Sequence, residues 1–430
     1  MPNKNGVGKK SPSTSKSSNN NKRREPEFRY EEKTAVHGGK TKYEEKTVVH
    51  GGKTKNVVAK KVPSKASVIV DKKASTTETT VPITVKKSLL SISTAYDRTV
   101  TEEKEKEKPK KKEKEKWSGE EASIKFVKSL GSINLKDEYD EIQKLPVQTE
   151  RCKMWQSHSS RNRHNDSKCY DHNRIIVQMC KDDYINGSKI NVPHFTPSIY
   201  LVQLPKMDSV DAVEEFWRVV FHEQCQTVHI IARPEELTNP AIDKLFCQES
   251  GAWLYANGFF VNTRKVEKKE NAKADMFVVE LLPEGCSNAV MCSVYLHTYW
   301  KPLFGPDRFG AQIRAAHQIA KNENGNSPTV IASVNGSGRN AALLTLAVVE
   351  DQLTRGKEPK ISEIVRTIRE QRPQSVDSYI QYVSLYMATN WLIKTKLPSG
   401  HEVVSKIKKF NEKATRSLPG SMMKTPTEEL

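Results

Sequence analysis

Two periodicities alternate along this chain. Apolar residues recur every three or four positions in Val213–Glu223, Phe309–Ala320, Ala341–Leu353, Ile361–Glu370 and Ser375–Thr389, the spacing of one helix face. Shorter runs rich in Val and Ile lie between them: Arg174–Met179, Thr227–Arg233, Met276–Leu282, Val290–Leu296 and Thr329–Val334 predict strands. Two further helices are expected near the start of this pattern. SGEEASIKFVKSL offers a serine cap with a glutamate close behind it, and LKDEYDEIQKL follows. Strands interleaved with amphipathic helices from Trp117 to Lys396 predict one α/β domain around a large sheet.

The pattern stops on both sides of that domain. Residues 1–116 are dominated by Lys, Ser, Thr, Glu and Asn, so ordering them would cost more entropy than burial returns, and the segment is expected to be disordered. It contains a tandem repeat, YEEKTAVHGGKTK at Tyr30–Lys42 and YEEKTVVHGGKTK at Tyr43–Lys55. Two such short copies are too few for a solenoid. They read as a duplication in a flexible tail, or as a pair of docking or phosphorylation sites at Tyr30 and Tyr43. EEKEKEKPKKKEKEK (102–116) reads as a solvated spacer. Residues 397–430 return to Lys, Ser, Pro and Met, and a disordered C-terminal tail is expected there.

Charge sharpens this division. The chain of 430 residues carries a formal net charge of +18. Residues 1–120 hold 30 Lys and Arg against 16 Asp and Glu, while the remainder holds 40 against 36. The basicity therefore belongs to the tail, where it could neutralise an anionic partner. It lacks the arginine–aromatic interleaving that stacks on bases. Seven cysteines without CxxC pairs fit free thiols in a reducing compartment, cytoplasmic or nuclear. The N-terminal residues contain no apolar core of the signal-peptide kind, and no apolar run approaches the length of a membrane span.

Candidate chemistry concentrates in TVIASVNGSGRNAALL, residues 329–344. An apolar strand breaks into a glycine turn and restarts as a helix. Free amides at a helix start, with the positive end of the dipole, favour an oxyanion. Gly336 and Gly338 let the loop curl around one centre, Ser333 and Ser337 lie within it, and Arg339 can add a bidentate fork. Taken alone, the same residues fit a tight turn whose arginine pairs with a carboxylate.

Further elements appear in a fixed order around that loop. They are Arg161-Asn162-Arg163-His164-Asn165-Asp166 with Arg174 beyond; Asp183-Tyr184-Ile185-Asn186-Gly187-Ser188; Gln203-Leu204-Pro205 followed by Val213, Phe216 and Trp217; and Arg369-Glu370-Gln371-Arg372 followed by Val376, Gln381 and Tyr382. In this order they resemble the KNRYxDV, DYINAS, QGP–FW and QR–VQT–QY elements of the classical protein tyrosine phosphatase domain, over about Trp117 to Lys396. The resemblance implies that family's fold, a large twisted mixed sheet flanked by helices.

It also implies which roles have been vacated. The family attacks phosphate with a cysteine thiolate in HCxxGxGR(S/T)G, ionised with the help of a helix N-terminus. Here the histidine position is Ala332, the cysteine position Ser333, and the hydroxyl position after the arginine Asn340. The general-acid loop WPDxGxP reads Trp300-Lys301-Pro302-Leu303-Phe304-Gly305-Pro306, with Pro302 at the aspartate position and Asp307 five residues beyond it. The water-positioning glutamine is Asp377. The groups that bind remain: Gly336, Gly338 and Arg339 for phosphate, and Asp166 and Gln381 in the pocket. His164 stands as an aromatic wall in place of tyrosine.

The resemblance thus implies a catalytically inactive protein that binds phosphotyrosine, or a tyrosine-bearing partner, and shields or scaffolds it in signalling. A weakly active phosphatase is one alternative. An interaction protein with a vestigial pocket and a basic tail that binds nucleic acid, lipid or an acidic partner is another. No cofactor is expected. His158, His164, Cys169 and His172 follow no metal-ligand spacing, so no metal site is expected. Cys169, Cys180 and Cys247 read as small core residues.

Overall fold

The computed structural model describes residues 117–237, 242–268, 274–322 and 327–418. The tandem repeat and the basic segment lie outside the described residues. In chain order the helices and strands are α1 Glu120–Ser129, α2 Leu135–Gln143, α3 Lys153–Ser157, β1 Arg174–Ile176, β2 Tyr184–Ile190, β3 Ile199–Gln203, α4 Val210–His222, β4 Thr227–Ile231, β5 Trp253–Ala256, β6 Phe259–Glu267, β7 Asp275–Pro283, β8 Val290–His297, α5 Phe309–Ala320, β9 Thr329–Ser333, α6 Arg339–Thr354, α7 Ile361–Gln371, α8 Tyr379–Lys396 and α9 Val403–Arg416. The nine strands form one mixed sheet in the order β1-β2-β3-β9-β4-β8-β7-β6-β5. Its centre, β3-β9-β4-β8, is parallel, and both wings are antiparallel.

Both faces of the centre are covered, as a parallel arrangement requires. Alternation in β9 assigns the sides: Ile331 packs with α1, α2 and α5–α9, whereas Val330 and Ala332 pack with α4. On the α4 side Val213, Phe216, Trp217, Val219 and Val220 are buried, each worth roughly 1.5–3 kcal/mol relative to exposure for side chains of this size. The opposite layer is thicker. α6 is buried from Arg339 through Glu350, so it is apolar nearly all round rather than amphipathic.

Register places the loop of interest. β9 lies between β3 and β4, with Gln203, Ser333 and Ile231 level with one another at the strands' carboxyl ends. In open α/β sheets the crevice outside those ends is where ligands bind.

Several expected boundaries shift for identifiable reasons. The helix expected from Ser375 starts at Tyr379, because Gln374 and Val376 take positive φ and Ser378 caps the new start. The strand expected to reach Met179 ends at Ile176, where its ladder to β2 slips, and Met179 itself has φ 56°. Ser118 does not cap α1: its hydroxyl donates to Thr354 O at 2.7 Å, and Gly119 is the cap residue without a side-chain bond. β2, β3, β5 and β6 were not foreseen. The tail expected over 397–430 contains helix α9, whose Val403, Ile407 and Ala414 are buried in the same core cluster as α1 and α8. Its three buried apolar residues are spaced at i, i+4 and i+11 among five lysines and arginines, too sparse to read from composition. Cys180 and Cys247 are only half-buried, while Cys169 is buried as expected. No helix among the described residues is long and apolar enough to cross a membrane.

Candidate functional site

The 334–338 turn is shaped from behind. Gly336 has φ 80°, and a Cβ there would come 2.6 Å from Gln203 Cα and 2.8 Å from an Arg372 nitrogen. Glycine is therefore required on both conformational and steric grounds. Arg372 is fully buried; it donates to Gly336 O, to Asn186 Oδ1 at 2.9 Å and to Ser188 Oγ at 3.0 Å, and burial pulls its pKa down. The polar residues of β2 thus serve as the loop's frame. Gln203 Nε2 donates to His164 O at 2.9 Å and Asn335 O at 3.0 Å, while its Oε1 accepts from Arg163 N–H at 2.7 Å. That single amide ties the 161–166 segment to the glycine turn. Asn340 turns inward and donates to Gly336 O at 3.0 Å.

Arg339 is 2% exposed, and both of its terminal nitrogens are engaged. Its two terminal nitrogens meet the two oxygens of Glu236 at 2.7 Å each, and one of them also donates to Trp300 O at 2.7 Å. Glu236 in turn accepts from Arg233 N–H at 2.9 Å. Sequence reading missed Glu236. An acidic residue 103 positions away gives no local signal of the arginine it meets.

Ser333 is buried, and its hydroxyl accepts from Gly336 N–H at 3.1 Å and donates to Asn335 Oδ1 at 3.4 Å. Asn335 Oδ1 is also approached by the Ser337 and Gly338 amides, at 3.5 and 3.4 Å. Its Nδ2 donates to Asp377 Oδ2. The Asp377 carboxylate lies where a Cβ on Gly338 would go, and its Oδ1 is buried without a hydrogen bond to any described residue. Burial raises the Asp377 pKa; the Asn335 bond and Arg339 oppose that rise, and Asp166 adds to it. Val376 N–H donates to Ser337 O at 3.0 Å, which locks the 372–378 segment onto the loop.

The remaining expected residues lie around this centre. His164 and Asp166 are exposed on the neighbouring loop. Gln381 is 1% exposed, with both side-chain polar atoms unbonded among the described residues. Pro302 is exposed in a loop held at both ends: Trp300 binds Arg339 and, through Nε1, Phe304 O at 2.7 Å, and Leu303 O accepts from Ser378 Oγ at 2.5 Å. Asp307 is half exposed and reaches Arg233 at 3.4 Å. Of the four candidate metal residues, His158 stacks on Tyr184 and meets Asp182, while buried Cys169 donates to Gly187 O. A cavity of about 610 Å³ lies between β7, β8, α5 and α8 and includes none of the predicted site residues.

The family profile described as protein-tyrosine phosphatase matches residues 158–391, more than half of the chain and all of this site. The chain belongs to that family. Its similarity to individual members is modest. A Caenorhabditis elegans protein provisionally named a tyrosine-protein phosphatase is 26% identical over 297 residues, which is 68% of this chain and 72% of that one. Human receptor-type tyrosine-protein phosphatase epsilon is 24% identical over 51% of this chain and 31% of its own. Among solved structures, the Trypanosoma cruzi protein tyrosine phosphatase TcPTP1 superposes with a TM-score of 0.55 at 16% identity, covering 62% of this chain and 96% of that one. The catalytic domain of human protein tyrosine phosphatase non-receptor type 18 gives 0.52 at 20%, covering 64% and 99%. At such identity the superpositions speak for the fold alone, which is the one expected from the sequence elements.

Ser333, which the resemblance sets at the family's cysteine position, carries an alcohol. An alcohol needs a base to ionise at neutral pH. The described hydrogen bonds of Ser333 Oγ go to an amide N–H and an amide oxygen, neither of which is a base.

Proposed function

We propose that this chain is a non-hydrolytic member of the tyrosine phosphatase family that binds a tyrosine-bearing partner, phosphorylated or not, and shields or scaffolds it in signalling. The observation that carries this reading is Ser333, buried at the nucleophile position with no base on its hydroxyl. Pro302 and Asp377, at the general-acid and water-positioning positions, support it from two other elements. Loss of a general acid alone removes roughly a hundred- to ten-thousand-fold in rate. Seven free thiols support a reducing compartment, and we place the protein in the cytoplasm.

The test is turnover of p-nitrophenyl phosphate and of phosphotyrosine peptides by the full chain, beside Ser333→Ala. Equal, blank-level rates are expected for both. Turnover by the natural chain that Ser333→Ala removes would establish the weakly active enzyme instead.

A further inference from the structure

We propose that this pocket selects an unmodified tyrosine side chain over a phosphorylated one. The inference rests on the partner-binding reading above and decides the ligand class within it.

A phosphate site needs free donors converging on one point, and here the Gly336, Ser337 and Gly338 amides and both terminal nitrogens of Arg339 already meet internal acceptors. The Ser337 and Gly338 amides approach Asn335 Oδ1, at the long end of hydrogen-bond distance, and the Gly336 amide meets Ser333 Oγ. The Arg339 fork, which would grip two phosphate oxygens, holds both oxygens of Glu236 and the Trp300 carbonyl. The side-chain amide of Asn335 thus occupies the place of an oxyanion, with its own neutral oxygen.

What the site does offer is an acceptor. Asp377 sets a carboxylate against Gly338 at the start of α6, and only one of its oxygens is taken, by Asn335 Nδ2. The other is buried and unpartnered. Asp166, close enough to act on Asp377, adds a second negative charge on the neighbouring loop. A phosphate monoester near pH 7 carries close to two negative charges and mainly acceptor oxygens. It would meet a like charge, beside Gly336, Ser337 and Gly338 amides already turned to internal acceptors. A phenol is neutral and carries one O–H donor, the partner that an unsatisfied carboxylate oxygen lacks. The polarity of the pocket is therefore inverted relative to an anion cradle.

The experiment titrates the full chain with three degenerate nonapeptide pools that differ only at a fixed central residue: tyrosine, phosphotyrosine or phenylalanine. The tyrosine pool is expected to bind about tenfold or more tightly than either other pool, a factor of ten being 1.4 kcal/mol. Asp377→Asn keeps the shape and the acceptor for Asn335 but removes the charge, and it is expected to erase or reverse the preference over phosphotyrosine. Tightest binding of the phosphotyrosine pool would overturn the inference and leave the partner-binding reading standing. Equal binding of tyrosine and phenylalanine pools would overturn it too, because the hydroxyl would then contribute nothing. Binding of no pool would overturn both.

Discussion

Asn335 donates its side-chain amide to the Asp377 carboxylate, joining the glycine turn after β9 to the segment before α8. Together they give the Ser337 and Gly338 amides an internal acceptor and leave one Asp377 oxygen unpartnered.

Asp377 makes the first prediction. Its carboxyl pKa is raised by burial, so between the ordinary carboxylate value and the raised one the folded state holds a proton that the unfolded state has lost. Stability attributable to this group is therefore greatest in acid and declines as pH rises through that window. Asp377→Asn should raise the midpoint of thermal unfolding at pH 7.5, with the gain shrinking towards pH 4. A gain that grows on acidification would contradict the assignment.

Arg339 and Glu236 make the second. Arg339→Ala leaves a mostly buried carboxylate and the Trp300 carbonyl without their donor. Breaking one side of a buried pair costs on the order of 3–5 kcal/mol, read as a lower urea midpoint. Adding Glu236→Gln should recover part of the loss, and strict additivity of the two changes would show that the pair does not act as a unit.

Gly336→Ala addresses the frame behind the turn. The left-handed backbone alone costs roughly 1–2 kcal/mol for alanine. Overlap with Gln203 and Arg372 adds to it, since both are held by several hydrogen bonds. Gly251, also at positive φ but with open space around its Cβ position, is the matched control. Gly251→Ala should cost visibly less in the same denaturation experiment.

The C-terminal helix supplies a fourth. Truncation after residue 402 removes Val403 and Ile407 from the core beside α1 and α8. Full burial of one such side chain is worth roughly 1.5–3 kcal/mol, so the shortened chain should unfold several kcal/mol more easily. An unchanged denaturation curve would mean that α9 contributes little to the domain.

The elements that could be read locally were those with an uninterrupted period. Phe309–Ala320 is a helix with the expected bounds, and Thr329–Val334 is the expected strand to within one residue. β2 escaped because Asn186, Gly187 and Ser188 break its apolar pattern, although that strand is buried at every position except Lys189. Its polar side chains face Arg372, which lies 184 and 186 residues further on. No local rule predicts a buried strand whose partners are so distant. α9 escaped for the opposite reason: three buried residues in fourteen do not outweigh its lysines.

By itself the sequence determined the family, while the placing of Ser333, Pro302 and Asp377 at the nucleophile, general-acid and water-positioning positions is what the resemblance to that family implies. These are matters of residue identity at aligned positions, and identity needs no coordinates. Tertiary structure alone decided that Arg339 is held by Glu236 and that Asn335 and Asp377 fill the turn. Hydrogen bonds are satisfied between whichever groups the fold brings within about 3 Å, and that proximity is a property of the packed sheet and helices, not of neighbours in the chain.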